Sequence, residues 1–366
     1  MIDYEGHDDH FSAKNMSVFS HPDFDDHEAV HAFCDPSSGL KAFIAVHNTN
    51  RGPASGGTRF WTYANDTDAL TDVLRLSRAM SYKNAMAQLD IGGGKAVVLR
   101  PEGEFDREAL FAAYGRAIES IGGTYITAED VGVSPADMAV IKTQTDYVAG
   151  LTDGENASGD PSPITADGVF RGIKVAASRA YGSTDLAGRH VAVQGLGHVG
   201  YALAEHLAAA GAILMVADIN EAVLAKAESE LDAIIVSPEK IHAADVDIFA
   251  PCALGGAVNA DTLPEIKASI VAGAANNQLR SPDMADALKQ RGILYAPDFV
   301  INAGGIINVA AEVSGHYDPA WVTGKLDQLE DSLAEVFDRA AAEDRTTADV
   351  AGEMARQRMA AIRQWR

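Results

Sequence analysis

The stretch VAVQGLGHVG, residues 191–200, constrains the fold of this chain more than any other. Gly195, Gly197 and Gly200 fit G-x-G-x-x-G, a pattern that informs only when a strand precedes it and a helix follows. Both conditions hold: an apolar run at 190–194 leads into the glycines, and helical spacing follows at 198–210. A second apolar run, ILMVAD, ends in Asp218, 18 residues after Gly200. In such a unit the first glycine permits a tight turn, the second lets backbone approach a pyrophosphate, and the third lets helix and strand pack closely. The helix N-terminus offers unpaired N–H groups to phosphate. A carboxylate at Asp218 accepts from ribose hydroxyls and repels a 2′-phosphate, which favours NAD over NADP. Leu196, His198, Val199 and Tyr201 complete the expected cofactor loop.

Strand-like and helix-like segments keep alternating after this loop: 213–217, 221–231, 247–250, 270–274 and 293–296. That order predicts an α/β fold with a doubly wound parallel sheet. Before the loop the pattern is also α/β. Residues 39–47 read as a strand, and 66–88 as a long helix with Leu70, Val73, Leu74 and Met80 at helical spacing. A strand at 96–99 follows, then a helix capped by Asp106 and stopped by Gly122–Gly123. A strand at 125–131 comes next, and Ser134–Pro135 opens another helix. The stretch TDGENASGDPSP, 152–163, reads as a domain boundary. The expected organisation is therefore a first domain at 1–150 (with 1–17 an extension), a dinucleotide domain at 151–330, and helices at 331–366 that return to the first domain.

The 366 residues carry a formal charge of −23, which argues against nucleic acid or anionic membrane as the main partner. Cys34 and Cys252 offer neither a disulfide framework nor a CxxC zinc pair, and no metal site is expected. His7-Asp8-Asp9-His10 reads as part of a polar leader. The first residues lack the basic and apolar regions of a signal peptide, and no run of 18 apolar residues occurs, so a cytoplasmic location is expected.

A second glycine-rich stretch, LDIGGGKAVVL at 89–99, suggests a phosphate loop and fails as one. The pattern G-x-x-x-x-G-K-[ST] requires glycine where Leu89 stands and Ser or Thr where Ala96 stands. Lys95 needs another task. Lys83 and Asp130 suggest one, because two lysines and a carboxylate together form a proton-transfer and anion-binding set. A neighbouring cation would lower one lysine's pKa towards neutrality. The glycines beside Lys95, like Gly56 and Gly57, are expected to make room for a substrate.

Eight motifs stand in order between about Leu40 and Val313: GPASGGTRFW, MSYKNAMAQLDIGGGKAVV, YITAEDVG, PSPITADGVFRGIK, VAVQGLGHVGY, DIFAPCALGGAVN, VAGAANNQL and YAPDFVINAGGIINVA. With these the chain resembles the amino acid dehydrogenases of the glutamate/leucine/phenylalanine/valine dehydrogenase superfamily, the leucine-type members most closely. The resemblance implies an N-terminal substrate domain, which also builds a homo-oligomer, and a C-terminal Rossmann domain for NAD. It implies reversible oxidative deamination of an L-amino acid to a 2-oxo acid and ammonia in the cleft between them. Lys83 then pairs with the substrate carboxylate, Lys95 activates water, and Asp130 exchanges protons with the substrate nitrogen. Asn302 is implied as a second carboxylate contact, Asn276 and Thr165 lie near the nicotinamide, and Gly56 and Gly57 let substrate approach the backbone.

The side-chain pocket implied by the resemblance consists of Ser55, Ala128, Ile306 and Val309. It holds no cation, and burying a glutamate carboxylate there costs several kcal/mol. Leucine, valine and isoleucine fit. Ser55 stands where leucine dehydrogenases usually carry Leu, which enlarges the pocket towards phenylalanine, while Ile306 in place of Val reduces it. Phenylalanine is therefore the rival substrate. The alternative of another class is a catalytically silent NAD-binding module for sensing or assembly, which would have no reason to keep Lys83, Lys95 and Asp130 together.

Overall fold

A computed structural model describes residues 17–151, 159–313 and 317–361. The His7–His10 cluster and most of the 152–163 stretch lie outside the described residues.

The N-terminal sheet has five strands: β1 (Ala29–Asp35), β2 (Leu40–Asn48), β3 (Ala54–Trp61), β4 (Gly92–Leu99) and β5 (Tyr125–Glu129), in the order β1-β2-β4-β3-β5. β1, β2 and β4 run antiparallel, whereas β4, β3 and β5 run parallel. Helix α1 (Asp66–Met86) starts at Asn65, whose side chain accepts from the Asp68 N–H, with Asp66 and Asp68 in its first turn. It covers one face of the sheet, where Val73 and Leu74 pack on Val97. Helices α2 (Arg107–Ser120) and α3 (Pro135–Lys142) cover the other, where Leu110, Phe111 and Met138 pack on Ala96 and Val98. The alternation of Ala96, Val97 and Val98 between two cores is the period-two rule of a strand buried on both sides.

The glycines at 92–94 are not a loop. They are the buried beginning of β4. A Cβ on Gly93 would stand 2.0 Å from the backbone nitrogen of Ser81. Glycine is there because α1 rests on the strand at backbone distance. Gly56 and Gly57 likewise lie within a strand, β3. A Cβ on either would meet neighbouring-strand carbonyls, Gly94 O at 2.0 Å and Glu129 O at 2.3 Å. What these glycines admit in the Cβ direction is protein backbone.

The C-terminal sheet is parallel, ordered β11-β10-β9-β6-β7-β8. Its strands are β6 (His190–Gln194), β7 (Ile213–Ala217), β8 (Ile234–Ile235), β9 (Ile248–Pro251), β10 (Ile270–Val271) and β11 (Leu294–Tyr295). Helices α4 (Ser162–Tyr181), α5 (His198–Ala209), α6 (Glu221–Leu231) and α7 (Asp283–Gln290) accompany them. The sequence direction reverses at β6, between β7 and β9, which is where such sheets open a crevice for ligands. Short α8 (Asp298–Ile301) and α9 (Gly304–Val313) then lead to α10 (Pro319–Ala342) and α11 (Thr347–Ala360).

The return to the first domain begins earlier than position 331. Asp318 caps α10 and Pro319 occupies its first turn, so residue 330 falls inside one uninterrupted helix. Ser332 Oγ and Arg358 Nη1 donate to the Met86 carbonyl, and Lys325 Nζ donates to that of Gln88, so three side chains of the returning helices seal the C-terminal end of α1. Met86, Leu89 and Ile91 share one core with Val169, Ile301, Leu333 and Met354.

Candidate active site

The dinucleotide loop divides its three glycines among three causes. Gly195 has φ +94°, a region that favours glycine. A Cβ on Gly200 would stand 2.0 Å from Gly195 O, so α5 could not approach β6 with a larger residue. Gly197, the N-cap of α5, meets nothing in the Cβ direction within 4 Å, and no side chain caps the helix. Free N–H groups beside open space suit a pyrophosphate. Asp218 accepts from Leu196 N–H at 2.6 Å and from Asn220 N–H at 2.8 Å, one per carboxylate oxygen, with lone pairs left for ribose hydroxyls. His198 is exposed and Val199 partly so, whereas the Leu196 side chain is buried. Tyr201 departs from its expected place in the cofactor site. Its hydroxyl donates to Glu230 at 2.9 Å and the Lys226 ammonium sits over its ring, so the side chain is spent on α6.

Lys95, buried on β4, meets Asp130 just beyond β5, with Nζ 3.0 Å from Oδ2. Burial would raise the Asp130 pKa, but the charges of Lys95 and Arg59 outweigh it and hold the carboxyl below its ordinary value. Arg59 is a residue that the sequence reading missed. Its Nε reaches the same Oδ2 at 3.2 Å. No spacing rule pairs a residue inside β3 with one beyond β5. Only the parallel pairing of the two strands joins them.

Lys83 stands in the last turn of α1 and crosses to the other half of the molecule, where its Nζ donates to Asn276 Oδ1 at 3.1 Å. Its pKa is lowered to about 8. Burial of the ammonium is the main cause; Asp298 opposes it, Lys95 adds to it, and Asp130 opposes it. For Lys83, desolvation rather than a neighbouring cation thus leads. Asp298, also missed in the sequence, is held by the N–H groups of Gln278 and Phe299 at 2.9 and 2.7 Å. Burial nevertheless pushes its pKa up, ahead of those bonds and of Lys83.

Asn302 sits differently from a carboxylate contact. Its Nδ2 donates to Ala274 O at 3.1 Å and to Asn276 Oδ1 at 2.9 Å, and its buried Oδ1 has no partner. It therefore presents an acceptor where a carboxylate needs a donor. Asn276 Oδ1 takes both Lys83 and Asn302, and its Nδ2 is engaged by neither. Thr165, in the first turn of α4, donates to Pro161 O at 2.9 Å and lies against Gly305 at the start of α9.

Ala128, Ile306 and Val309 do come together, joined by Ala149, Ile126 and Val313 in one apolar cluster between β5 and α9. Ser55 pairs in register with Ile126 on the neighbouring strand and is fully buried, with Oγ unpartnered.

Residues 27–147 match the model of the Glu/Leu/Phe/Val dehydrogenase dimerisation domain, and residues 221–364 that of Glutamate/Leucine/Phenylalanine/Valine dehydrogenase. The chain belongs to the glutamate/leucine/phenylalanine/valine dehydrogenase family. Within this family it is 48% identical to a leucine dehydrogenase of Geobacillus stearothermophilus, over 96% of this chain and 95% of that one. It is 44% identical to a valine dehydrogenase of Streptomyces coelicolor, over 95% and 96%. A solved L-tryptophan dehydrogenase from Nostoc punctiforme superposes with TM-score 0.82 at 42% identity, over 91% of this chain and 96% of that one. As in its family, the N-terminal mixed sheet is the substrate domain and the parallel sheet is a Rossmann domain for NAD. The chain is an NAD-dependent amino acid dehydrogenase. Among the described residues no helix is long and apolar enough to cross a membrane.

Proposed function

We propose that this dehydrogenase acts on branched-chain L-amino acids, leucine before valine and isoleucine. One amino acid, one NAD⁺ and one water yield the 2-oxo acid, ammonium, NADH and a proton. The apolar cluster of Ala128, Ala149, Ile306 and Val309 beside the lysine–aspartate set carries this reading, because it offers an aliphatic side chain its contacts and a glutamate carboxylate no cation. The similarity to leucine and valine dehydrogenases agrees with it.

NAD, bound at the Gly195–Gly200 loop, supplies the hydride acceptor. The Lys83 ammonium holds the substrate carboxylate. Asn276 presents Nδ2 to the substrate or the nicotinamide amide, and Asn302 keeps it turned that way. The backbone of Gly56 and Gly57 borders the substrate, and Thr165 stands near the nicotinamide. Lys95 activates the water that attacks the iminium carbon, and Asp130 takes up a proton from the substrate nitrogen. Asp130 then returns a proton to the leaving nitrogen. A silent NAD-binding module would not need this set.

Small residues at Ser55, Ala128 and Ala149 favour a second reading, phenylalanine or another bulky substrate. Measuring kcat/KM for leucine, valine, phenylalanine and glutamate decides between them. The first reading expects leucine to lead; a lead for phenylalanine selects the second, and a lead for glutamate overturns both. We further assign a homo-oligomer built through the N-terminal domain and a cytoplasmic location. Light scattering after size exclusion tests the first, and a single-chain mass overturns it.

A further inference from the structure

Asp130 does not stand between two equal cations. Lys95 and Arg59 both address one oxygen, Oδ2, at 3.0 and 3.2 Å. Arg59 is itself fixed from behind. Its Nη1 reaches both oxygens of Asp72, at 3.2 and 2.9 Å, and the Tyr63 hydroxyl donates to Asp72 Oδ2 at 2.6 Å. The chain Tyr63–Asp72–Arg59–Asp130 thus runs from α1 and the end of β3 into the site. A planar guanidinium held at one edge has little freedom at the other. The fixed edge bears on Oδ2, the oxygen that is also closest to the Lys95 ammonium.

We infer that Arg59 is a positioning residue for the deamination reaction: locked by Asp72, it holds Oδ2 of Asp130 so that Oδ1 faces the substrate nitrogen, and it keeps the carboxylate ionised beside Lys95. Lys95 alone could not do this. A single ammonium on a flexible stem leaves the carboxylate free to rotate, and a lysine that directs water must move with its load. Arg59 touches neither substrate nor cofactor in this role. It also lines an open cavity of about 530 Å³ with Trp61, Tyr63, Asp72, Val131 and Leu254, so shortening it empties no packed core.

The charged and titratable groups around Asp130 are Arg59 from β3, Lys95 from β4, Tyr125 from β5, Lys83 and Asp72 from α1, and Tyr63. Removing Arg59 takes away a cation and leaves the Asp72 anion with the Tyr63 hydroxyl but without its cation. Both changes raise the pH at which Asp130 takes a proton. This inference rests on the proposed role of Asp130, so Asp130→Asn is measured alongside.

The test is the pH profile of kcat and KM in Arg59→Gln, Arg59→Lys and Asp72→Asn, with NADH binding followed by fluorescence. Arg59→Gln is expected to lower kcat at least tenfold, to change amino acid KM less than threefold and to leave NADH affinity unchanged. The acidic limb of its profile moves to higher pH. Arg59→Lys restores the limb but not kcat, since lysine supplies charge without the two-sided fork. Asp72→Asn lowers kcat less, and adding it to Arg59→Gln costs nothing more, as expected of one chain. A kcat within twofold of wild type and an unmoved limb in Arg59→Gln overturn the inference. If that variant does not fold, a kcat within twofold of wild type in both Arg59→Lys and Asp72→Asn overturns it. An active Asp130→Asn enzyme overturns the mechanism beneath it instead.

Discussion

Lys83 Nζ lies 3.1 Å from Asn276 Oδ1, so a side chain on the long helix of the substrate domain ends on a loop of the NAD domain. The proposed carboxylate subsite would therefore be built from both sides of the cleft. Its charge also changes near working pH, because burial brings the Lys83 pKa down to about 8. Below that value the ammonium is present, and above it the positive charge is lost. Competitive inhibition by a 2-oxo acid is expected to weaken roughly tenfold between pH 7 and pH 9. Lys83→Gln should bind it weakly at every pH. An inhibition constant that is flat with pH in the wild type would refute the assignment.

Lys95→Ala separates chemistry from cofactor binding. Lys95 is far from the glycine loop in the sequence and makes its ion pair with Asp130. Turnover should fall on the order of 10²- to 10⁴-fold, the usual worth of a proton-transferring side chain. NADH affinity, read by fluorescence, should stay within about threefold of wild type. Near-normal turnover would remove Lys95 from the mechanism.

Asp218→Asn should weaken NAD and narrow the preference over NADP. Each carboxylate oxygen accepts one backbone N–H, from Leu196 and from Asn220. An amide can satisfy only one of these as an acceptor, and it lacks the charge that repels a 2′-phosphate. The ratio of kcat/KM for NAD to that for NADP is expected to fall roughly tenfold or more, from lost charge-assisted hydrogen bonds. An unchanged ratio would mean that the ribose is recognised elsewhere.

His27 sets an acid limit on stability. Its Nδ1 accepts from the Asp25 N–H at 3.1 Å, and its Nε2 donates to the Leu74 carbonyl at 3.1 Å. The neutral ring satisfies both, and a second proton has no acceptor. Burial brings its pKa down to about 4 from 6.5. Between these values the unfolded chain binds a proton that the folded chain refuses. The contribution is complete above pH 6.5 and is lost as pH falls towards 4, up to about 3 kcal/mol. His27→Gln should show a smaller drop in melting temperature across that window. A drop as large as in the wild type would place the acid sensitivity at another group.

Much of this was legible in the sequence, for local reasons. Asp106 and Ser134 cap the helices they are expected to open, because capping needs only a short span of chain. The dinucleotide unit was legible because its turn, helix and acidic residue lie close together. Strand β3 was not, since a central strand buried on both faces and carrying two glycines shows no alternation. The glycines of β4 read as a loop because the backbone they accommodate, at Ser81, lies on another element. Arg59 stood inside a motif already noted, yet its meaning depends on Asp72 and Asp130, which only the folded sheet and helix bring together. Tyr201 was misplaced because the pattern gives a position on a helix but not which neighbour the ring will choose.

Gly93 and Ser81 each stand two residues from a lysine of the site, Lys95 on the strand and Lys83 on the helix. One backbone-to-backbone seat thus acts as the gauge block for both cations. Any side chain at position 93 would lift the helix and shift Lys83 relative to Lys95. A scan of substitutions scored on turnover should therefore return a hydrogen atom among the least replaceable groups in the enzyme, at a position covered by the backbone of a helix.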